Sequence, residues 1–308
     1  MNIRQCVEWL NKHDDILILT HIRPDGDTLG GAAALCSALR RLGKNAAMYN
    51  NPDITPKYLK YVSPYISDSF RYSNAVAVDV AEQHMLPSGY SGKVQLCIDH
   101  HPSNSHYAEH LLLDSSKASC GEIVLRVIEG LCGGVEPEEA SLLYMAVSTD
   151  CGCFRYANVT ADTFAAASDL LDYGAQAKKL NFDLFRQVSR ARMTLEGSIL
   201  SGLEYFFDGK VVAATVTKQM MLDAGATEND CDDIAGIPGK VEGCIVSLVI
   251  RELDGKCKVS VRSHEVFDSS ALCAKFGGGG HKMASGCTIE ESPQKTLKLL
   301  IDAIAEVL

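Results

Sequence analysis

The tripeptide Asp99-His100-His101 ends an apolar run of strand length, residues 94–98, and Pro102 follows it at once. It offers one carboxylate and two imidazoles as donors from a single chain position. In an open parallel sheet, ligands collect beyond the carboxyl ends of the strands, so these side chains are aimed at the expected binding crevice. Three other apolar runs end alike. Residues 16–20 lead into His21, Asp25 and Asp27; residues 75–78 end on Asp79; residues 142–147 are followed by Ser148, Thr149 and Asp150.

Any one of these acids could be a helix N-cap or a solvated turn residue. Asp25, Asp27, Asp79 and Asp150 brought together are different, because only cations can offset the repulsion among four carboxylates. Oxygen and imidazole donors suit Mn²⁺ or Mg²⁺. The spacing Asp25-x-Asp27 around Gly26 lets neighbouring carboxylates reach two ions about 3.5–4 Å apart, the separation found in two-metal phosphoryl-transfer sites.

The elements that must position these groups alternate between strand and helix patterns, which indicates a parallel α/β sheet. Residues 3–13 read as an amphipathic helix, 28–43 as a helix closed by Gly43, and 45–50 as a second strand. Residues 52–69 read as a polar connection with little regular pattern. Ser119, three residues before Glu122, resembles a capping box. Residues 137–148 lead into Asp150 from a helix, and Thr160 opens another that Gly174 ends. Residues 181–205 are largely helical in pattern, and the domain boundary is placed within them, near 188.

The second half changes character. Residues 210–216, 244–250 and 258–263 read as strands, the last two flanking the hairpin-like Asp254-Gly255. The run Gly277-Gly278-Gly279-Gly280-His281-Lys282 follows, then an amphipathic helix over 293–308. Without Cβ atoms the backbone amides of such a run can close on an anion, although a plain flexible loop reads the same way. Arg262, at a strand end, is placed either to pair with phosphate or to lie on the surface.

At 308 residues the chain is long enough for two domains, since single cores stop growing near about 250–300 residues. A net charge of −10 argues against a broad surface for duplex DNA. There is no apolar run of membrane-spanning length and no signal-peptide pattern, so a cytoplasmic protein with no membrane partner is expected. The twelve cysteines are scattered without a Cys-x-x-Cys pair and read as reduced, mostly buried thiols.

Taken in order, His21-x-x-x-Asp25-x-Asp27, Asp79, Asp99-His100-His101, Asp150 and Gly277-Gly278-Gly279-Gly280-His281 resemble the DHH/DHHA1 phosphoesterase family over nearly the whole chain. Arg23-Pro24-Asp25-Gly26-Asp27, His101-Pro102-Ser103-Asn104, Phe154-Arg155-Tyr156 and Val261-Arg262-Ser263 are similar to those members that hydrolyse short oligoribonucleotides and 3′-phosphoadenosine 5′-phosphate (pAp). The resemblance implies an α/β fold with an N-terminal parallel-sheet catalytic domain, 1–188, and a smaller α/β substrate-binding domain with a mixed sheet, 189–308, the active site lying in the cleft between them.

It also implies two Mn²⁺ ions, with Mg²⁺ an alternative. His21, Asp25 and Asp79 would hold one ion; Asp27, Asp79, His100 and Asp150 would hold the other, Asp79 bridging. His101 would face the substrate phosphate as a catalytic group, with Asp99 orienting from behind. Arg262, Ser263, Gly278, Gly279, Gly280 and His281 would bind substrate. The implied reaction is in-line attack on phosphorus by a hydroxide shared between the metals. Implied substrates are short single-stranded oligonucleotides, linear dinucleotides such as pApA and pGpG, and pAp; a homodimer is compatible with this reading. Cys151 departs from the family, which commonly has threonine there. Rival readings are a cyclic-dinucleotide phosphodiesterase, a RecJ-like single-strand exonuclease, and an inactive nucleotide-binding regulator.

Overall fold

The computed structural model describes residues 1–231, 233–264 and 266–308, and these divide into two compact units, Met1–Gln187 and Val188–Leu308. The first unit runs α1 (Ile3–Lys12), β1 (Ile16–Leu19), α2 (Gly26–Arg41), β2 (Ala46–Tyr49), α3 (Pro56–Val62), β3 (Ile66–Ser67) and β4 (Asn74–Val78). It continues with β5 (Leu96–Asp99), β6 (His110–Leu113), α4 (Cys120–Cys132), α5 (Pro137–Asp150), α6 (Ala161–Asp172) and α7 (Ala177–Asn181).

Its six strands form one sheet in the order β3-β2-β1-β4-β5-β6, every neighbouring pair parallel. The strands are nearly continuous apolar runs because both faces are covered. In β1, Ile16 and Ile18 join the large core beneath the helices, whereas Leu17 and Leu19 pack on the opposite face with Ala75, Ala77 and Cys97. The chain moves outward from β1 to β3 and then crosses back to β4 on the other side of β1. The carboxyl ends of β1 and β4 therefore flank the point where strand order reverses, where a crevice opens in doubly wound sheets.

The connection 52–69, read above as irregular, contains α3 and β3. Pro56 starts α3 at a position that needs no amide donor, and Tyr58 and Val62 are buried one turn apart. The pattern is one turn repeated once, too short to stand out. The box expected at Ser119 is half formed: Ser119 accepts from the Glu122 amide, but Glu122 turns its carboxylate to the amide of Ala118.

The second unit runs α8 (Arg190–Ser201), β7 (Glu204–Phe206), β8 (Val211–Val216), α9 (Lys218–Ala224), β9 (Val246–Leu253), β10 (Lys256–Ser263), α10 (Ser269–Ala274), β11 (Gly279–His281), β12 (Ala284–Ile289) and α11 (Pro293–Ala305). Among its described residues the sheet order is β11-β12-β10-β9-β8-β7, antiparallel except for β8 beside β9. β9 and β10 form a hairpin at Asp254-Gly255, where Gly255 takes φ +70°. No helix among the described residues is long and apolar enough to cross a membrane.

Helices α2 and α5 cross closely over the first sheet. A Cβ on Gly30 would lie 2.3 Å from the carbonyl oxygen of Leu142 and 3.0 Å from the Cβ of Ala146. Gly30→Val should therefore force these helices apart and lower unfolding free energy by about 1–3 kcal/mol. Urea unfolding followed by circular dichroism checks this; an unchanged midpoint would mean that the crossing is looser than described.

Candidate metal centre

Three helix ends converge on the reversal point between β1 and β4. Asp25 caps the start of α2, its Oδ1 accepting from the amides of Asp27 and Thr28 at 3.0 and 3.3 Å. Thr28 ties α2 to the sheet by donating its hydroxyl to the Val78 carbonyl at 2.7 Å. Asp27 is fully buried and accepts from the amides of Cys120 and Gly121, the first two residues of α4, at 2.7 and 2.8 Å. Asp150 is the last residue of α5. Close approach needs glycine: a Cβ on Gly26 would lie 2.3 Å from Thr149 Oγ1, and one on Gly121 2.6 Å from the Ala146 Cβ.

The strands supply the rest. Asp79 directly follows β4 with φ +62°, a conformation costly for a side chain bearing Cβ and of the kind that clusters at functional sites. It is 3% exposed, and its Oδ1 accepts no hydrogen bond; His100 Nε2 and His101 Nδ1 each lie 3.4 Å away. His21 donates Nδ1–H to the Ile22 carbonyl at 2.8 Å, and its Nε2 sits 3.6 Å from Asp25 and 3.7 Å from Asp79. His100 donates Nδ1–H to the Lys117 carbonyl at 3.1 Å, and its Nε2 sits 3.8 Å from Asp27 and 3.7 Å from Asp150. A carbonyl can only accept, so these bonds fix the proton on Nδ1 and leave Nε2 facing the acids.

Potential ligand atoms within 4.8 Å of one another form three groups: His21, Asp25 and Asp79; Asp27, His100 and Asp150; and Asp79, His100 and His101. The unpartnered buried oxygen of Asp79, with two imidazole nitrogens turned towards buried carboxylates, is what a divalent cation requires. The donor set fits such ions.

The electrostatics agree with that fit. Burial, then the charges of Asp150 and Asp25, push Asp27 well above the usual carboxylate range. Burial, then Asp27 and its neighbours, does the same to Asp79. Burial and the charge of Asp25 raise Asp150 to about 7. Burial depresses His100, favouring the neutral imidazole that a metal needs.

Asp99, at the end of β5, is arranged differently. It accepts from His101 Nδ1 at 2.8 Å, from the His100 and His101 amides at 2.8 and 3.3 Å, and from Asn104 Nδ2 at 2.6 Å. Burial alone would raise its pKa, but His101 and Asn104 outweigh it and hold it low. Burial likewise opposes a charged His101, and the bond to Asp99 overcomes it and raises that imidazole. Asn104, the Lys117 carbonyl and the Cys120-Gly121 amides carry no such role in the sequence analysis. Asn104 lies in the segment His101-Pro102-Ser103-Asn104; the other contacts are made by backbone atoms, which residue identity does not announce.

In the second unit, Gly279–His281 is an edge strand, so the glycine run is not a plain loop. A Cβ on Gly278 would meet the Gly286 carbonyl at 2.2 Å, and one on Gly280 the Ala284 carbonyl at 2.7 Å. These glycines admit close strand contact, whereas Gly279 is exposed with nothing near its missing Cβ. Arg262 and His281 are both opposite Ala284, one on each side, which puts them in one cross-strand row on the same face. Ser263 holds α10 in place, accepting from the Ser269 hydroxyl at 2.7 Å while donating to the Phe267 carbonyl at 2.9 Å.

All twelve cysteines are free thiols, ten of them buried. Cys151, beside Asp150, is buried; its sulfur accepts from the Phe154 amide at 3.2 Å, and burial raises its pKa to about 11.

Residues 15–147 match the DHH family N-terminal domain, and residues 208–308 match the DHHA1 domain. The chain belongs to the DHH phosphoesterase family. The bifunctional oligoribonuclease and PAP phosphatase NrnA of Thermus thermophilus is 35% identical over 284 residues, covering 89% of this chain and 84% of that protein. The crystal structure of an exopolyphosphatase-related protein from Bacteroides fragilis superposes with a TM-score of 0.90 at 23% identity, covering 99% of this chain and 95% of the other. RecJ of T. thermophilus in complex with Mn²⁺ shares the fold with a TM-score of 0.57 at 14% identity, covering 99% of this chain and 55% of RecJ.

The DHH cluster predicts a pH signature for the metal-free protein. A carboxyl whose pKa is higher folded than unfolded stabilises below its unfolded value, near about 3.9, and loses that contribution as pH rises through its folded value. With Asp150 at about 7 and Asp27 and Asp79 also raised, the melting temperature in EDTA should fall between pH 5 and pH 8. Scanning calorimetry checks this; a melting temperature that climbs over the same range would contradict the buried-charge account.

Proposed function

We propose that the chain is a phosphoesterase that uses two divalent cations, Mn²⁺ or Mg²⁺, to hydrolyse short single-stranded oligonucleotides, linear dinucleotides and pAp. The observation that carries this reading is the unpartnered Asp79 oxygen at the centre of four carboxylates and two Nε2 atoms. The substrate class rests on the T. thermophilus relative, whose name states oligoribonuclease and PAP phosphatase activity. Its coverage of most of both chains supports the transfer.

His21, Asp25 and Asp79 would hold one cation, and Asp27, Asp79, His100 and Asp150 the other. When bound, the pair supplies Lewis acidity and a water whose pKa drops from about 15.7 towards 7. The chain's own residues do the remainder. The Ile22 and Lys117 carbonyls hold His21 and His100 in the tautomer that presents Nε2. Asp99, accepting from Nδ1, keeps His101 protonated and turns its Nε2 into the nitrogen available to a phosphate oxygen. Asn104 donates to the second Asp99 oxygen, and the donors on both oxygens fit this acid to orient His101. We assign substrate binding in the second unit to Arg262, Ser263, Gly278, Gly279, Gly280 and His281, of which Arg262 and His281 share one face of the sheet.

Asp79→Ala should reduce Mn²⁺-dependent hydrolysis of pApA by more than about a hundredfold. Rates on pAp, pApA, a five-nucleotide RNA and cyclic di-AMP measured side by side test both the site and the substrate class; wild-type turnover by the variant would refute the two-cation assignment. Arg262→Ala should raise KM for pApA while leaving a small generic phosphodiester little affected, as steady-state kinetics will show. An equal loss on both would count against a binding role.

A further inference from the structure

Glu122, in the first turn of α4, is 3% exposed and belongs to none of the three groups of metal-ligating atoms, yet one peptide unit ties it to them. Its Oε1 accepts from the Ala118 amide at 3.1 Å. The carbonyl of that same peptide is the Lys117 oxygen, which accepts from His100 Nδ1 at 3.1 Å. Carboxylate, peptide and imidazole therefore form one chain of hydrogen bonds from Glu122 Oε1 to His100 Nδ1. Bonds in such a chain polarise one another, by about 10–30% per bond, so a peptide whose N–H is held by a carboxylate offers a stronger carbonyl acceptor. A firmer hold on Nδ1–H fixes the tautomer and strengthens Nε2 as a donor, as a carboxylate does when it touches a metal-binding imidazole directly.

The surroundings hold this chain in place. Thr163, fully buried on α6, donates its hydroxyl to the same Glu122 oxygen at 3.0 Å. Asn158 Nδ2 donates to the Ala118 carbonyl at 3.0 Å and to the Asp150 carbonyl at 3.3 Å. Side chains thus take up both polar groups of Ala118 and join it to the last residue of α5. Cys120 and Gly121, two and three residues on, give their amides to Asp27. The short segment 117–121 serves His100 with a carbonyl and Asp27 with two amides, and Glu122 clamps it. Helix capping alone does not call for this: Ser119 already accepts from the Glu122 amide, and an exposed acid would answer the helix dipole without the cost of burial. We propose that Glu122 is a positioning residue for the metal centre, acting through the Lys117–Ala118 peptide to orient His100 and strengthen its Nε2 as a ligand. It deepens the two-cation reading above and rests on it for what His100 binds.

The test begins with the metal-free full chain, where long-range ¹H–¹⁵N correlation spectra read the His100 tautomer. The wild type should carry its proton on Nδ1. Glu122→Gln keeps a neutral acceptor and should keep that tautomer, with the Nδ1–H proton moved upfield by the weaker bond. Glu122→Leu, of similar size and without an acceptor, should let both tautomers appear. Isothermal titration calorimetry with Mn²⁺ should then show affinity lowered about tenfold to a hundredfold in Glu122→Leu and less in Glu122→Gln. Glu139→Gln is the control: Glu139 is 1% exposed, receives Arg41 at 2.8 Å, and lies near the end of α5 opposite Asp150. It should lower the melting temperature and leave the His100 signal and the Mn²⁺ affinity unchanged. A folded Glu122→Leu with the wild-type signal and affinity overturns the proposal, as does an equal loss of affinity in Glu139→Gln. Should Glu122→Leu not fold, Glu122→Gln decides, and an unmoved Nδ1–H overturns the proposal. Hydrolysis of pApA by the wild type with Mn²⁺ is measured separately. Its absence would refute the proposed activity and leave the His100 result standing; hydrolysis with an unmoved Nδ1–H in Glu122→Gln would do the reverse.

Discussion

Everything in the first unit answers to one electrostatic problem: Asp25, Asp27, Asp79 and Asp150 are brought together, with Asp27 and Asp79 buried and Asp25 and Asp150 at the solvent-facing side of the cluster. The cationic partners seen at these acids among the described residues are histidines, and a histidine compensates only when protonated. Part of the charge is offset by the fold itself. Asp25 and Asp27 sit at the amino ends of α2 and α4, where free amide donors and the helix dipole favour an anion. Asp150 sits at the carboxyl end of α5, where the dipole works against it. Asp79 has no helix at all. The remaining deficit is concentrated at groups of acids and imidazoles that could hold a divalent cation, and binding of a cation there would offset it.

Such a cluster demands close backbone approach, and the small residues of α2 and α5 serve that end. The carbonyl of Leu142 takes the space a side chain at Gly30 would fill, and Thr149 the space at Gly26. Were these helices set at ordinary side-chain distances, Asp27 could not reach the α4 amides while Asp150 stays beside His100. Packing and chemistry are therefore the same contacts, with α4 and the strands β1 and β4 completing the support of α2.

Much of this is legible in the amino-acid sequence. Apolar runs ending in Asp or His marked β1, β4 and β5, and the alternation with helices gave the parallel sheet, because burial on both faces writes a continuous apolar signature. What escaped was of two kinds. Short elements, such as the two-turn α3 and the four-residue strand β6, are held by neighbours more than by their own pattern. Contacts made by the backbone, such as the Lys117 carbonyl on His100 and the α4 amides on Asp27, depend on where main-chain atoms fall and leave no trace in residue type. The glycine run shows a third case, since the sequence announces missing Cβ atoms without saying what needs the space. At Gly278 and Gly280 it is a neighbouring strand; at Gly277 and Gly279 the space is open, and Gly277 instead takes φ +70°.

The contrast between Asp79 and Asp99 shows how one residue type is divided between two duties. Both lie at the carboxyl ends of adjacent strands, β4 and β5, and both are almost wholly buried. Asp99 receives four donors, from two amides, an imidazole and the Asn104 amide, which together hold its pKa low. Asp79 is turned by its left-handed backbone away from such donors, and one oxygen receives none. A buried carboxylate stays charged either by hydrogen bonds or by a cation, and this chain supplies the first at Asp99 and withholds it from one oxygen of Asp79. Donor count, more than position in the motif, separates the two acids.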